Sequence, residues 1–165
     1  MEKKIFVTSD QHFDHANIIK YCKRPFSSVD EMNKALLANW NNAIGKRDLV
    51  FFLGDLAYKG RNINYWLEQL NGNIIFIKGN HDKSDRIEFF DGYMLNYRGI
   101  QLFLCHDAEQ APKNWSSWII TGHYHNNDLE KYPFINKERK IANVSVELTD
   151  YKPVNLDDLT AKMSS

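Results

Sequence analysis

The chain has 165 residues, with 21 Lys and Arg against 21 Asp and Glu, so its formal charge at pH 7 is zero with the six histidines neutral. That balance argues against strong duplex nucleic-acid binding, which draws on a basic excess, and a hydrophobic share of 43% is globular usage, far from the composition of a disordered chain. No apolar run approaches the roughly 18 residues of a membrane-spanning helix, and the length fits a single domain over residues 1–165 whose core needs no disulfide staples.

At the amino terminus, Met1-Glu2-Lys3-Lys4 leads into only three apolar residues, Ile5-Phe6-Val7, too few for a secretory leader. Those three form a β-prone run ending in Thr8-Ser9-Asp10, and a helix is expected from about Ala16 to Lys23, stopped by Pro25. Ser28 with Glu31 reads as a capping box for a second helix, whose apolar face is Met32, Leu36, Trp40 and Ala43 and whose end is Gly45. Leu49 to Leu53 and Ile74 to Ile77 are continuous apolar runs, the pattern of strands buried on both faces. Between them Ile63, Trp66, Leu67 and Leu70 make a helical stripe closed by Asn71-Gly72. The second half supplies short strands at Tyr93-Met94-Leu95, Ile100 to Leu104, Trp118-Ile119-Ile120 and Val144-Ser145-Val146, with Arg98-Gly99 as a hairpin turn. Asp157-Asp158 opens a short last helix. The rhythm is α/β. Cys22 and Cys105 make neither a zinc spacing nor a disulfide framework, which suits a reducing, cytoplasmic setting.

In an open α/β sheet, ligands bind outside the carboxyl ends of the strands, so the residues that follow each apolar run belong to one site. Those residues are Asp10-Gln11-His12, Gly54-Asp55, Gly79-Asn80-His81-Asp82, Cys105-His106 and Gly122-His123-Tyr124-His125, which hold five of the six histidines. Asp10 and His12 are two apart, as are His123 and His125, so an extended backbone would point each pair to one side. Carboxylate, amide and imidazole donors without thiolate suit Mn²⁺, iron or Zn²⁺. Seven such donors are too many for one ion and about right for two ions sharing a carboxylate, an arrangement suited to displacement at phosphorus.

The ordered series Asp10-x-His12, Gly54-Asp55, Gly79-Asn80-His81-Asp82, His106 and Gly122-His123-x-His125 resembles the calcineurin-like metallophosphoesterase superfamily over about residues 5–146. The continuation His12-Phe13-Asp14-His15-Ala16-Asn17 is similar to that of small single-domain bacterial and phage members. The resemblance implies a four-layer α-β-β-α sandwich of two mixed sheets flanked by helices. It implies two divalent ions, Mn²⁺ foremost, with iron, Zn²⁺, Ni²⁺ and Co²⁺ as the other ions of the class. Asp10, His12 and His125 would hold the first ion, Asn80, His106 and His123 the second, and Asp55 would be shared. His81 would stand beside the scissile ester as the catalytic acid, with Asp82 orienting its imidazole, and His15 and Asn17 would meet substrate.

By the same resemblance the expected activity is hydrolysis of a small phosphate ester, phosphodiesters ahead of monoesters and nucleotide-derived ones among them, with water activated between the ions as nucleophile. A noncatalytic adaptor and a DNA-processing nuclease share this superfamily; the complete ligand series opposes the first, and the short, charge-balanced chain opposes the second. No membrane partner is expected, and the chain would act as a monomer or homodimer. Gly54-Asp55 is followed by Leu56-Ala57-Tyr58 rather than the Asp-Arg-Gly of the protein phosphatases, so their phosphate-gripping arginine is missing. Arg24, Lys59 and Arg61 read mainly as surface charges, Cys105 as a packed thiol, and Trp115 and Trp118 as packing residues more than a base-stacking platform.

Overall fold

The computed structural model describes residues 3–165, so Met1 and Glu2 lie outside the described residues. The first half alternates strands with helices: β1 (Ile5–Thr8), α1 (Ala16–Tyr21), α2 (Val29–Ala43), β2 (Leu49–Phe52), α3 (Ile63–Gln69), β3 (Asn73–Ile77) and β4 (Phe89–Phe90). The second half adds β5 (Tyr93–Tyr97), β6 (Ile100–Leu104), β7 (Trp118–Thr121), β8 (Ile135–Asn136), β9 (Ile141–Asn143), β10 (Val154–Asn155) and α4 (Leu156–Ser164). Two mixed five-stranded sheets result, ordered β10-β1-β2-β3-β4 and β5-β6-β7-β9-β8. In the first, β1 to β4 run parallel and β10 pairs antiparallel with β1. In the second, β6, β7 and β9 run parallel between antiparallel edges β5 and β8.

Strand alternation explains the continuous apolar runs. Phe6, Val50, Phe52 and Phe76 face a core built with Ile18, Met32, Leu36, Trp40, Ile63 and Trp66 of α1 to α3. Their neighbours Val7, Phe51, Leu53 and Ile77 face Leu102, Leu104, Ile120 and Ala142 of the second sheet, and α4 adds Leu156, Leu159 and Met163. Both faces of the first sheet are therefore dry. Each fully buried large side chain of this kind stabilises the fold by about 1.5–3 kcal/mol relative to exposure.

Local chemistry sets the boundaries of α2. Ser28 caps it by accepting from the Glu31 amide at 3.2 Å, but the Glu31 carboxylate turns back to the Ser27 amide (2.6 Å) and hydroxyl (2.5 Å), so only half of the expected capping box forms. The helix ends at Ala43 because Ile44 is extended (φ −107°, ψ 123°). Arg98 and Gly99 both have positive φ (49° and 82°), which lets the two-residue turn follow the twist of the β5–β6 hairpin.

Val144-Ser145-Val146 is not a strand. The ladder of β9 stops at Asn143, and the chain then steps from one sheet to the other. The Val144 amide still donates to Thr121 O at 2.8 Å, whereas the Val146 amide donates to Ser9 O at 3.2 Å, beyond the end of β1. Among the described residues, no helix is long and apolar enough to cross a membrane.

Gly54 shows how tightly the strand ends approach one another. Its φ is +97°, and a Cβ there would lie 2.6 Å from the Gly79 backbone and 2.6 Å from His106 Nδ1. Left-handed strain and overpacking each cost about 1–3 kcal/mol. Gly54→Ala should therefore lower the urea midpoint by the equivalent of about 2–6 kcal/mol. An unchanged midpoint would show that the neighbouring loops yield freely.

Candidate metal centre

The parallel strands β1, β2, β3, β6 and β7 deliver their carboxyl ends to one edge of the sandwich, and the predicted site residues meet there. The first two loops are zipped together: the Asp10 amide donates to Gly54 O (3.0 Å), His12 to Asp55 O (3.0 Å) and Phe13 to Leu56 O (2.9 Å). Asp14 anchors the continuation by accepting from Asn33 Nδ2 (2.9 Å), Asn62 Nδ2 (3.0 Å) and Trp66 Nε1 (3.0 Å). The backbone is not extended here. Asp10 (φ 63°), His12 (53°), Asp55 (62°), His123 (68°) and His125 (50°) all occupy the left-handed region. Convergence of the two-apart pairs thus comes from left-handed residues held by neighbouring loops, not from strand alternation, and such conformations persist only where the surroundings dictate them.

Buried Asp10 divides its carboxylate. Oδ2 accepts from the His123 amide and the Ser145 hydroxyl, both at 2.9 Å. Oδ1 has no hydrogen-bond partner and lies 3.8 Å from His12 Nε2 and 3.6 Å from His125 Nε2. His12 Nε2 is likewise buried and unpartnered. Asp55 accepts the His81 amide on Oδ1 (2.8 Å) and places Oδ2 between His12 Nε2 (3.5 Å) and His106 Nε2 (3.6 Å). Around the second position, His123 Nδ1 lies 3.3 Å from His106 Nε2 and 3.3 Å from the side-chain Nδ2 of Asn80.

The outward ring nitrogens are occupied. His106 Nδ1 donates to Leu53 O at 2.7 Å, and His125 Nδ1 donates to Glu147 Oε1 at 2.9 Å. His12 Nδ1 is 3.4 Å from His15 Nδ1, whose ring stacks on Tyr58 at 4.1 Å. These contacts turn the Nε2 atoms of His12, His106 and His125 inward, toward Asp10 and Asp55. Asp10, His12 and His125 form one group able to hold a cation, and Asp10, Asp55 and His106 form another.

Electrostatics point the same way. Burial opposes ionisation of Asp10, but the charges of His125, His106 and His12 outweigh it and hold its carboxyl below the usual range. Burial, aided by the Asp10 charge, pushes Asp55 up to about 6 against the pull of His106 and the His81 amide. Burial also holds His12 well below its ordinary value and His15 down at about 4, with the charge of His81 adding to the effect at His15. At His125 burial opposes the imidazolium, yet Asp10 and the contacts to Cys22 and Glu147 raise it to about 11. An imidazole that keeps a proton between two carboxylates marks a place that draws positive charge, and the unpartnered donors beside it fit a divalent cation of intermediate softness.

Above this floor opens a cleft of 370 Å³ lined by His12, His15, Asn17, Tyr58, His81 and His123 among others. His81 lies on its wall, its ring 5.3 Å from that of His12 and 5.8 Å from that of Tyr58. Asp82 does not reach the His81 imidazole, contrary to expectation. Its buried carboxylate accepts the backbone amides of Asp55 (2.7 Å), Leu56 (3.0 Å) and Gly79 (2.9 Å), bracing the second and third loops against each other.

Arg24 is a second correction. It is 4% exposed rather than a surface charge, because its guanidinium donates to Asp10 O, Gln11 O and Glu147. Glu147, which no motif marks, and the Ser145 hydroxyl are the polar groups that the strand-end pattern misses. Tyr124 packs away from the centre, stacking on Tyr132 at 3.4 Å and donating to Asp107. Cys105 is fully buried, and burial followed by the Asp107 charge pushes its thiol up to about 12, as suits a packing residue. The Trp115 indole donates to Trp118 O at 3.1 Å and stands against Phe103, away from the cleft.

Comparison with known proteins agrees with this arrangement. The family model described as calcineurin-like phosphoesterase matches residues 3–161. An uncharacterised protein of Methanocaldococcus jannaschii is 51% identical over 160 residues, covering 94% of this chain and 88% of that protein. The gene 66 protein of Mycobacterium phage D29 is 31% identical over 83 residues, covering 48% of this chain and 40% of that protein. Among solved structures, a protein of unknown function from Aquifex aeolicus superimposes with a TM-score of 0.76 at 22% identity, covering 98% of this chain and all of that one, and so shares the fold. With the family model spanning nearly its whole length and two mixed sheets carrying candidate metal-ligand groups at their strand ends, this chain belongs to the calcineurin-like phosphoesterase family.

Proposed function

We propose that the protein is a dinuclear metal-dependent hydrolase of small phosphodiesters, nucleotide-derived ones included. The observation that carries this reading is the position of Asp55 Oδ2, 3.5 Å and 3.6 Å from the inward nitrogens of His12 and His106, beside the unpartnered Asp10 Oδ1. Asp10, His12 and His125 would hold one ion, Asn80, His106 and His123 the other, and Asp55 would serve both. When bound, two divalent ions, Mn²⁺ foremost, neutralise the ester's charge and lower the pKa of water enough to supply a nucleophile near neutral pH.

The chain's own groups supply the rest. His81, on the cleft wall with its ring near His12 and its backbone amide on Asp55 Oδ1, is assigned the donation of a proton to the leaving oxygen rather than a place among the ligands. His15 and Asn17 line the same cleft and are assigned to substrate contact. The His15 ring, held neutral at pH 7, also supports His12 through the 3.4 Å contact between their Nδ1 atoms.

The test is a screen of metal-reconstituted protein against phosphomonoesters, linear phosphodiesters and cyclic nucleotides with Mn²⁺, Ni²⁺, Zn²⁺ and Mg²⁺. Metal-dependent turnover highest on diesters is expected; folded, metal-loaded protein inert across the panel would overturn the proposal. In the same assay His81→Ala should retain both ions and lose about 10² to 10⁴-fold in kcat, the usual contribution of a general acid. The loss should be greatest on poor leaving groups. Normal turnover on a poor leaving group would remove His81 from the proton transfer.

A further inference from the structure

We infer that Glu147 and Arg24 form a buried positioning pair that fixes His125 for coordination through Nε2 and holds the Asp10 loop beneath it. The inference rests on the dinuclear reading and adds to it two residues outside the predicted ligand set.

The two residues are 123 positions apart, and their side chains are 0% and 1% exposed. Glu147 Oε1 takes three hydrogen bonds: from Arg24 Nε (2.9 Å), Arg24 Nη2 (2.7 Å) and His125 Nδ1 (2.9 Å). Arg24 then turns its remaining donors on the first loop, with Nη2 to Asp10 O at 2.7 Å and Nη1 to Gln11 O at 2.8 Å. One guanidinium thus ties the left-handed Asp10 backbone to the carboxylate that orients His125.

Stability alone does not account for the pair. A buried ion pair is often no better than well-packed apolar residues of similar volume, since desolvation offsets the Coulomb attraction. A positioning role does account for it. A carboxylate on the outer nitrogen of a metal-binding histidine fixes its tautomer and raises its basicity, and losing such a partner typically weakens metal affinity about 10 to 100-fold. Glu147 also lies with Cys22 and His125 in a group that could itself hold a cation. The guanidinium on Oε1 opposes that use, because it already places a fixed positive charge 2.7 Å from the carboxylate, although Oε2 has no partner.

Two measurements test the inference. Calorimetric titration of the full chain with Mn²⁺ should show wild type taking up two ions, and Glu147→Gln losing about 10 to 100-fold in affinity at one step only. A Glu147→Gln protein with a lowered melting temperature but both affinities intact would overturn the inference and leave the pair a structural feature. Long-range ¹H–¹⁵N spectra of Zn²⁺-loaded wild type need no variant to fold: His125 should carry hydrogen on Nδ1 and metal on Nε2, and coordination through Nδ1 would overturn the inference. If wild type takes up neither Mn²⁺ nor Zn²⁺, the dinuclear reading falls and this inference with it. Two ions bound equally by wild type and Glu147→Gln would defeat the inference alone.

Discussion

Asp55→Asn is expected to lose about 10² to 10³-fold in kcat, the scale seen when a transition-state electrostatic group is removed, and to bind fewer than two ions per chain. The substitution is nearly isosteric, and the amide oxygen can still accept the His81 backbone N–H that Oδ1 now takes at 2.8 Å, so the loops should stay in place. What disappears is the negative charge at Oδ2, between His12 and His106. On the proposed reading, a change at either set of three ligands would weaken one ion, and a change at Asp55 would weaken both. Elemental analysis of the dialysed variant alongside its kinetics decides the matter. Full occupancy of both positions would remove Asp55 from the shared role.

Asp82→Ala should act chiefly on stability. Three buried amides, those of Asp55, Leu56 and Gly79, would lose their only carboxylate acceptor. Each orphaned donor costs about 1–3 kcal/mol, so a loss of about 3–5 kcal/mol is expected once entering water offsets part of the penalty. Urea unfolding measures it. The outcome separates two roles: a residue that orients His81 would lower kcat with little change in the midpoint, whereas a brace lowers the midpoint first. A kcat loss at unchanged midpoint would restore the orienting role.

Strands buried on both faces announce themselves as unbroken apolar runs, and loops at parallel strand ends must converge. Hence Leu49 to Leu53 and the polar residues after it could be placed from the sequence. Val144-Ser145-Val146 shows the same β-prone composition, but Ser145 spends its hydroxyl on Asp10 and its amide on Asn143 Oδ1, so the segment leaves the ladder. Composition cannot register a crossing between sheets. Arg24 and Glu147 are each a single charged residue without periodic context, and only the closed fold brings them together. Asp82 was visible as a motif residue, but whether its carboxylate serves a side chain or three amides depends on the approach of two loops.

The crossing from Asn143 to Val146 has a consequence for the order of assembly. Asp10 is made early in synthesis, yet its Oδ2 waits for the His123 amide and the Ser145 hydroxyl, and β1 waits for β10 to cover its free edge. These are long-range closures, which come late because chain entropy must be lost before they form. A nascent chain that has emerged only as far as β6 therefore carries Asp10, His12 and Asp55 with no opposing half. On the proposed reading, the complete two-ion site would exist only after the second sheet has docked, so full metal uptake would follow the last steps of folding.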